Sequence, residues 1–258
     1  MTEDERTASG WDVRAHGSVV RFLEAIAAGA PGSSLLAESG VVGSVVPSAP
    51  DRSVFNSVVH ADPLALEDSI ERLGTAYREA GVRAWTVWFP EADRRSAELL
   101  EGRGHRLDGE PRSMILDLDT IPGPDELDFV RGVDWTDLCR VNDAAYGLDE
   151  GTYASGLGRR PGPGLRGYGA RHGGWVAAVL ATLLEGEDCG AYLVATLPEA
   201  RRRGLAGRLL HRALLDARER GCRTSTLLSS PRGAGVYRRL GYQDLGALQM
   251  WEHRVFPA

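Results

Sequence analysis

Residues 192–210, YLVATLPEARRRGLAGRLL, constrain this chain more than any other stretch, because they must leave a strand, turn sharply and enter a helix. The apolar run that ends at Pro198 reads as a strand, since a short β-rich stretch stops where proline removes a backbone donor. The helix follows from apolar residues at 205, 209, 210 and 214, with Arg208, His211, Arg212 and Asp216 on the other faces. Between them, Gly204, Ala206 and Gly207 keep side chains away from the first amides of the helix. Those amides have no partner inside a helix and sit at the positive end of its dipole, so the turn is suited to an anion such as a pyrophosphate.

The pattern Arg201-x-x-Gly204-x-Ala206 resembles the acyl-coenzyme-A signature of the GNAT superfamily of N-acetyltransferases. Two neighbouring blocks extend the resemblance in the family's order. Residues 194–198, VATLP, stand where the family's strand offers its backbone to the pantetheine arm, and residues 229–242, SSPRGAGVYRRLGY, resemble the tyrosine-bearing helix and the Leu-Gly-Tyr that opens the next strand. The resemblance implies acetyl-CoA as cosubstrate, held by Val194, Ala195 and Thr196 and by the turn Arg201, Arg202, Arg203, Gly204, Leu205, Ala206 and Gly207. Arg232 is a further candidate for the phosphates. It also implies a mixed α/β fold in which a sheet is flanked by helices.

The chain has 258 residues, enough for two domains, and its 43% hydrophobic and 26% charged content is that of a water-soluble globular protein. The acidic start, Met1 to Arg6, has no apolar segment after it, so we expect no secretory signal and a cytoplasmic location. Cys139, Cys189 and Cys222 are isolated and lack ligand spacing, which predicts neither a disulfide framework nor a metal site. All 30 basic residues are arginine, a bias that suggests a GC-rich bacterial genome, and a net charge of −6 argues against nucleic acid as a partner. No apolar run is long enough for a membrane span.

In chain order, apolar spacing predicts a helix over 19–28 and short strands near 35, 41–46 and 53–59. A helix over 64–80 follows, begun near Pro63, then a strand at 83–89, a helix at 92–102 and a strand at 113–118. Residues 119–125, with Pro122-Gly123-Pro124, read as a linker. Beyond it come a strand at 127–130, a helix from Asp134 to 145, an aperiodic Gly/Pro/Arg-rich loop over 147–167, and strands at 168–171, 175–184 and 189–197. The anion turn and its helix precede a strand at 224–229, the tyrosine helix and closing strands to 255.

The halves are alike: residues 81–86 align with 221–226, and 99–105 with 236–242. This predicts two GNAT-like domains in tandem, 1–122 and 123–258. The first has no anion motif before its long helix, only His60-Ala61-Asp62-Pro63, and Leu100 stands where the second has Tyr237. Proline deletes an amide and Asp62 repels a phosphate, so the first domain is expected to be degenerate and the second to carry the chemistry.

Acetyl transfer to an amine needs an oxyanion donor, a proton for the leaving thiolate and an acceptor for the amine proton. An N–H near Val194 or Ala195 serves the first, and Tyr237 matches the family tyrosine near the sulfur. The base is the weak point: where some family members have a glutamate, this chain has Asp188-Cys189-Gly190, and Glu185, Glu187 and Asp188 read as a solvated hairpin. Tyr192 is a candidate to order a water. The acceptor site is expected from the 147–167 loop and the helix before it, with Tyr146, Asp149, Glu150 and Tyr153. The function implied is an acetyl-CoA-dependent N-acetyltransferase acting on a primary amine of a small molecule or protein. The alternative is a non-catalytic acyl-CoA sensor or interaction module, and monomer and homodimer both remain open.

Overall fold

Asp12 accepts the amides of Arg14 and Ala15 and starts helix α1 (Val13–Gly29) well ahead of its apolar run, because a cap fixes a helix start that periodicity alone does not mark. These and the following observations come from a computed structural model, which describes residues 6–38, 40–123, 127–231 and 233–255. Three short strands follow: β1 (Ser34–Glu38), β2 (Val41–Val45) and β3 (Ser57–His60). Asp62 caps α2 (Pro63–Glu79), with Pro63 in the first turn. The first half then runs through β4 (Ala84–Pro90), α3 (Arg94–Glu101), β5 (Arg106–Gly109) and β6 (Arg112–Asp117).

The second half begins with β7 (Phe129–Arg131) and α4 (Trp135–Tyr146), capped by Asp134 as expected. The 147–167 stretch is not wholly irregular: it holds a short helix, α5 (Thr152–Leu157). Strands β8 (Arg166–His172), β9 (Trp175–Glu185) and β10 (Asp188–Thr196) form a meander. They lead to α6 (Leu205–Glu219), β11 (Thr224–Ser229), α7 (Ala234–Arg239) and one long strand, β12 (Gln243–Arg254), where several were expected.

All twelve strands join one mixed sheet in the order β1-β2-β3-β4-β12-β6-β11-β10-β9-β8-β7, with β5 pairing β12. Each half repeats one unit, a strand, a crossover helix and a parallel strand: β3-α2-β4 and β10-α6-β11. At the centre the halves exchange strands. β6 lies along β11 through its full length, from Arg112↔Ser229 to Asp117↔Thr224, and β12 pairs first with β6 and then with β4. Helix α1 packs on β2 and β3 of its own half and on β9 and β10 of the other. One apolar core therefore runs from Leu23 and Ile26 on α1 to Leu209 and Leu214 on α6, and a second, around Leu66, Leu73, Trp85 and Phe89, lies in the first half.

Asp188 departs from its expected solvated hairpin. It is buried at the first position of β10, where both carboxylate oxygens accept hydroxyls, from Thr224 at 2.7 Å and Thr226 at 2.6 Å. Those threonines sit on the parallel neighbour β11, a contact that spacing along the chain does not reveal. The linker positions 124–126 and the candidate Arg232 lie outside the described residues.

Candidate active site

Strand β10 breaks its own ladder at the point where the site forms. It pairs with β9 from Asp188↔Glu185 to Tyr192↔Ala181, then resumes at Ala195↔Val179, so one extra residue is looped out between them. Leu193 takes φ +56°, one of two described non-glycine residues with positive φ. Such a conformation is costly for a residue with a Cβ and persists only where the surroundings hold it. Here Asn142, fully buried on α4, donates from Nδ2 to the Leu193 carbonyl at 3.3 Å and to the Leu138 carbonyl at 2.9 Å. On its other side β10 pairs with β11 only from Asp188↔Thr224 to Ala191↔Leu227. Beyond Ala191 the two strands part, and the sheet opens.

The second positive-φ residue, Arg202 at +62°, lies in the turn that follows. A 3-10 turn at Pro198–Ala200 brings the chain round, and Gly204, at φ +73°, is the N-cap of α6 with no side-chain hydrogen bond to the helix start. A glycine in this left-handed position leaves the first-turn amides open to a ligand, whereas a serine or aspartate there would occupy them. Arg202 and Arg203 are exposed. Arg201 is exposed as well but tied down: its guanidinium donates to the Ala145 carbonyl at the end of α4 and to the Thr196 carbonyl at 3.3 Å. It braces the turn against α4.

Two hollows lie on either side of α7, near this opening. A groove of about 650 Å³ is lined by Thr196, Arg201, Arg202 and Gly204–Arg208, and by Val236 and Arg239 of α7. A cavity of about 270 Å³ is lined by Ala191–Val194 of β10, Leu228 of β11 and Tyr237 of α7. Helix α7 divides them, with Val236 toward the groove and Tyr237 toward the cavity. Of the residues expected to hold the cosubstrate, Thr196 and the turn thus border the groove, Val194 borders the cavity, and Ala195 is buried in the strand where pairing resumes. Arg203 is exposed and borders neither.

Three of the four candidate tyrosines, Tyr146, Tyr192 and Tyr237, line the cavity. Tyr237 is half-buried and meets Tyr242 edge to face at 5.9 Å, and burial raises its phenol pKa above the ordinary value. It stays protonated at neutral pH and can donate a hydrogen bond. Tyr192 is already committed: its hydroxyl lies 2.5 Å from Ser18 Oγ of α1, and its ring stacks on Phe22 at 4.1 Å. Burial raises its pKa as well, so it acts as a wall and not as a proton acceptor. Tyr146 stands 59% exposed at the mouth. Its neighbour Tyr153 packs against Phe55 instead, and Asp149 and Glu150 border neither hollow.

Sequence reading missed the supports and one whole wall. Asn142 and Asp143 follow one another on α4. The first holds the looped-out residue, and the second accepts the amides of Gly151 and Tyr153, fixing the loop into α5, each at 2.9 Å. Two buried polar residues inside an amphipathic helix were the available signal, since such groups survive only with partners. Val19, Phe22 and Trp88, all from the first half, have no such signal.

An open sheet with an uncapped helix N-terminus beside the opening is the arrangement of an enzyme class that binds an acyl-CoA thioester and delivers its acyl group through the gap. Sequence comparison agrees. Residues 166–244 match the family model of the acetyltransferase (GNAT) domain, a match confined to the second half of the chain. No curated protein matches it. Among solved structures it is similar to a GCN5-related N-acetyltransferase from Kribbella flavida, with a TM-score of 0.68 at 17% identity over 95% of this chain and 96% of that one. It is similar also to a tandem GNAT protein from the clavulanic acid biosynthesis pathway (TM-score 0.56, 16% identity, 96% and 97% covered). A third is a GCN5-related N-acetyltransferase from Sphaerobacter thermophilus (TM-score 0.57, 18% identity, 85% and 82% covered). At these identities the likeness is one of fold.

Proposed function

We propose that this protein is an acetyl-CoA-dependent N-acetyltransferase that acetylates a primary amine by direct attack on the thioester, and that residues 1–122 and 123–258 are two GNAT-like domains of which the second is catalytic. The observation that carries the reading is the glycine-capped start of α6 opening onto a groove, with a cavity lined by Tyr237 across α7 from it, beside the parting of β10 and β11. The amides of the 202–207 turn receive the pyrophosphate, and the edge of β10 at Val194, Ala195 and Thr196 receives the pantetheine arm. Arg202 and Arg203 add positive charge, while Arg201 acts by bracing the turn.

The amine nitrogen attacks the carbonyl carbon, the carbon–sulfur bond breaks, and the amide forms as coenzyme A leaves. A backbone N–H of the looped-out segment at Val194 or Ala195 stabilises the oxyanion. Tyr237 donates a hydrogen bond to the departing sulfur; with its pKa raised it holds its own proton, and the thiolate is protonated finally by water. No described residue lining the cavity is a carboxylate or an imidazole, so the proton lost by the amine leaves through solvent. The setting is cytoplasmic.

Calorimetric titration with acetyl-CoA, followed by thiol detection in the presence of amines, tests the reading. Micromolar binding at one site per chain and amine-dependent thiol release are expected. Absence of binding overturns it, and binding with no release for any amine leaves the acyl-CoA sensor in its place.

A further inference from the structure

The 270 Å³ cavity lies on the side of the sheet covered by α1, and six of its fifteen lining residues come from the first half of the chain: Val19, Phe22 and Leu23 of α1, Val54, Ser57, and Trp88 of β4. These side chains are fixed. Phe22 is stacked flat on Tyr192 with 3° between the rings, Ser18 of the same helix bonds the Tyr192 hydroxyl, and Trp88 Nε1 donates to Ser57 Oγ at 3.1 Å. The ion pair Arg21–Glu185, at 3.0 Å, ties α1 to β9 beside them. Aromatic and aliphatic carbon faces the space, and the polar groups among the described lining residues are hydroxyls and one indole. No acid, arginine or histidine is among them.

This composition selects. A second ammonium, a carboxylate or a phosphate on the acceptor would lose its hydration and find no counter-charge among the described lining residues. A row of sugar hydroxyls would exceed the few partners present. An aromatic or branched aliphatic body would replace water against Phe22, Tyr192 and Trp88, a favourable exchange in proportion to the apolar area covered. The volume holds about nine waters at ~30 Å³ each, at the small end of ligand sites. The same apolar surroundings lower the pKa of an entering amine and favour the neutral nucleophile, which suits a cavity with no base among its described lining residues.

Resting on the acetyltransferase reading, we infer that the acceptor is a compact apolar monoamine, a single amino group on an aromatic or branched aliphatic frame, and that the first half of the chain sets this choice through Phe22 and Trp88. The degenerate half is then the acceptor half. It binds no coenzyme A, but it supplies the wall against which the acceptor's body packs.

The test is a competition among acceptors at saturating acetyl-CoA, read as thiol release: 2-phenylethylamine and isoamylamine against spermidine, phenylalanine, lysine and glucosamine. The chain has no lysine, so labelling of its own side-chain amines does not obscure a small signal. The two monoamines are expected to exceed each charged or hydroxylated competitor by at least a hundredfold in kcat/KM. Phe22→Ala, at a half-buried position, is expected to raise KM for 2-phenylethylamine at least tenfold while leaving the calorimetric Kd of acetyl-CoA within twofold. Val54→Asp, at an exposed lining position, is expected to move preference toward a diamine of the same length. A polyamine, amino acid or amino sugar as the best acceptor, or Phe22→Ala without effect on monoamine KM, overturns the inference. Acetyl-CoA binding measured on the same samples separates that result from failure of the acetyltransferase reading, in which acetyl-CoA itself would not bind.

Discussion

The starts of α2 and α6 occupy the same place in the repeated strand–helix–strand unit and do opposite things. At α2 the Asp62 carboxylate accepts the Leu64 amide at 2.9 Å and Pro63 has no amide to give, so the end is closed and negatively charged. At α6 Gly204 leaves the end open. The strands differ in the same sense: β3 keeps continuous register with β2 and β4, whereas β10 loops out a residue and parts from β11. One architecture can therefore leave the helix end open or close it. The choice rests on a cap residue and a looped-out residue, not on the fold.

The largest way to break this contrast is to give α6 the character of α2. Gly204→Glu places a carboxylate at the phosphate position, and acetyl-CoA affinity is expected to fall at least a hundredfold, about 2.7 kcal/mol, by calorimetry. Gly204→Asn, which tolerates the left-handed conformation without adding charge, should lose less than tenfold. Next in size is Tyr237→Phe, the counterpart of Leu100 in the first half. Its kcat should fall roughly ten- to a hundredfold with KM for acetyl-CoA unchanged, since the hydroxyl acts when charge develops on sulfur.

Acid sharpens the contrast by acting mostly on one half, His253 of β12, whose pKa burial also lowers, being the exception. His16, His60 and His105, all in the first half, have pKa values lowered to about 4, chiefly by burial. Their folded pKa lies below the ordinary 6.5, so the unfolded chain takes up these protons first as pH falls. Their contribution is complete above about pH 6.5 and is lost on the way down to about 4. Thermal melts should give a lower Tm at about pH 5 than at about pH 7.5, with hydrogen exchange rising first around β3, β4 and α3. A Tm that does not fall over this interval would remove the asymmetry. The smallest effect belongs to Asp62→Ala, expected to cost about 1 kcal/mol in urea unfolding through the lost cap and to create no acetyl-CoA binding, because Pro63 still lacks an amide.

How much of this was legible follows from the range of the interactions involved. The α6 turn is local: strand, glycine and helix lie within a few residues, and its position and chemistry could be read directly. The alignment of 81–86 with 221–226 likewise falls on two equivalent helix-to-strand turns, each with a glycine at positive φ, Gly81 and Gly221. Asp188 was misread as solvated because its partners Thr224 and Thr226 are brought to it by a parallel pairing. The short strand β5 has only charged and small residues around Leu107, too little alternation to mark it, and forms because β12 offers it an edge. Tyr146 and Tyr237 were found, and the wall they face was not.

By itself the sequence determined the open helix end, the cap at Asp134, the closed counterpart in the first half and the resemblance of the second half to a GNAT domain. Each depends on residues a few positions apart, where backbone geometry leaves little freedom. The tertiary structure alone decided that β6 and β12 cross between the halves, that Asn142 holds Leu193, and that Phe22 and Trp88 line the cavity beside Tyr237. Those contacts join residues far apart in the chain, and apolar burial, which drives them, is non-directional: it requires that these side chains be covered and leaves the partner to the packing of the whole sheet.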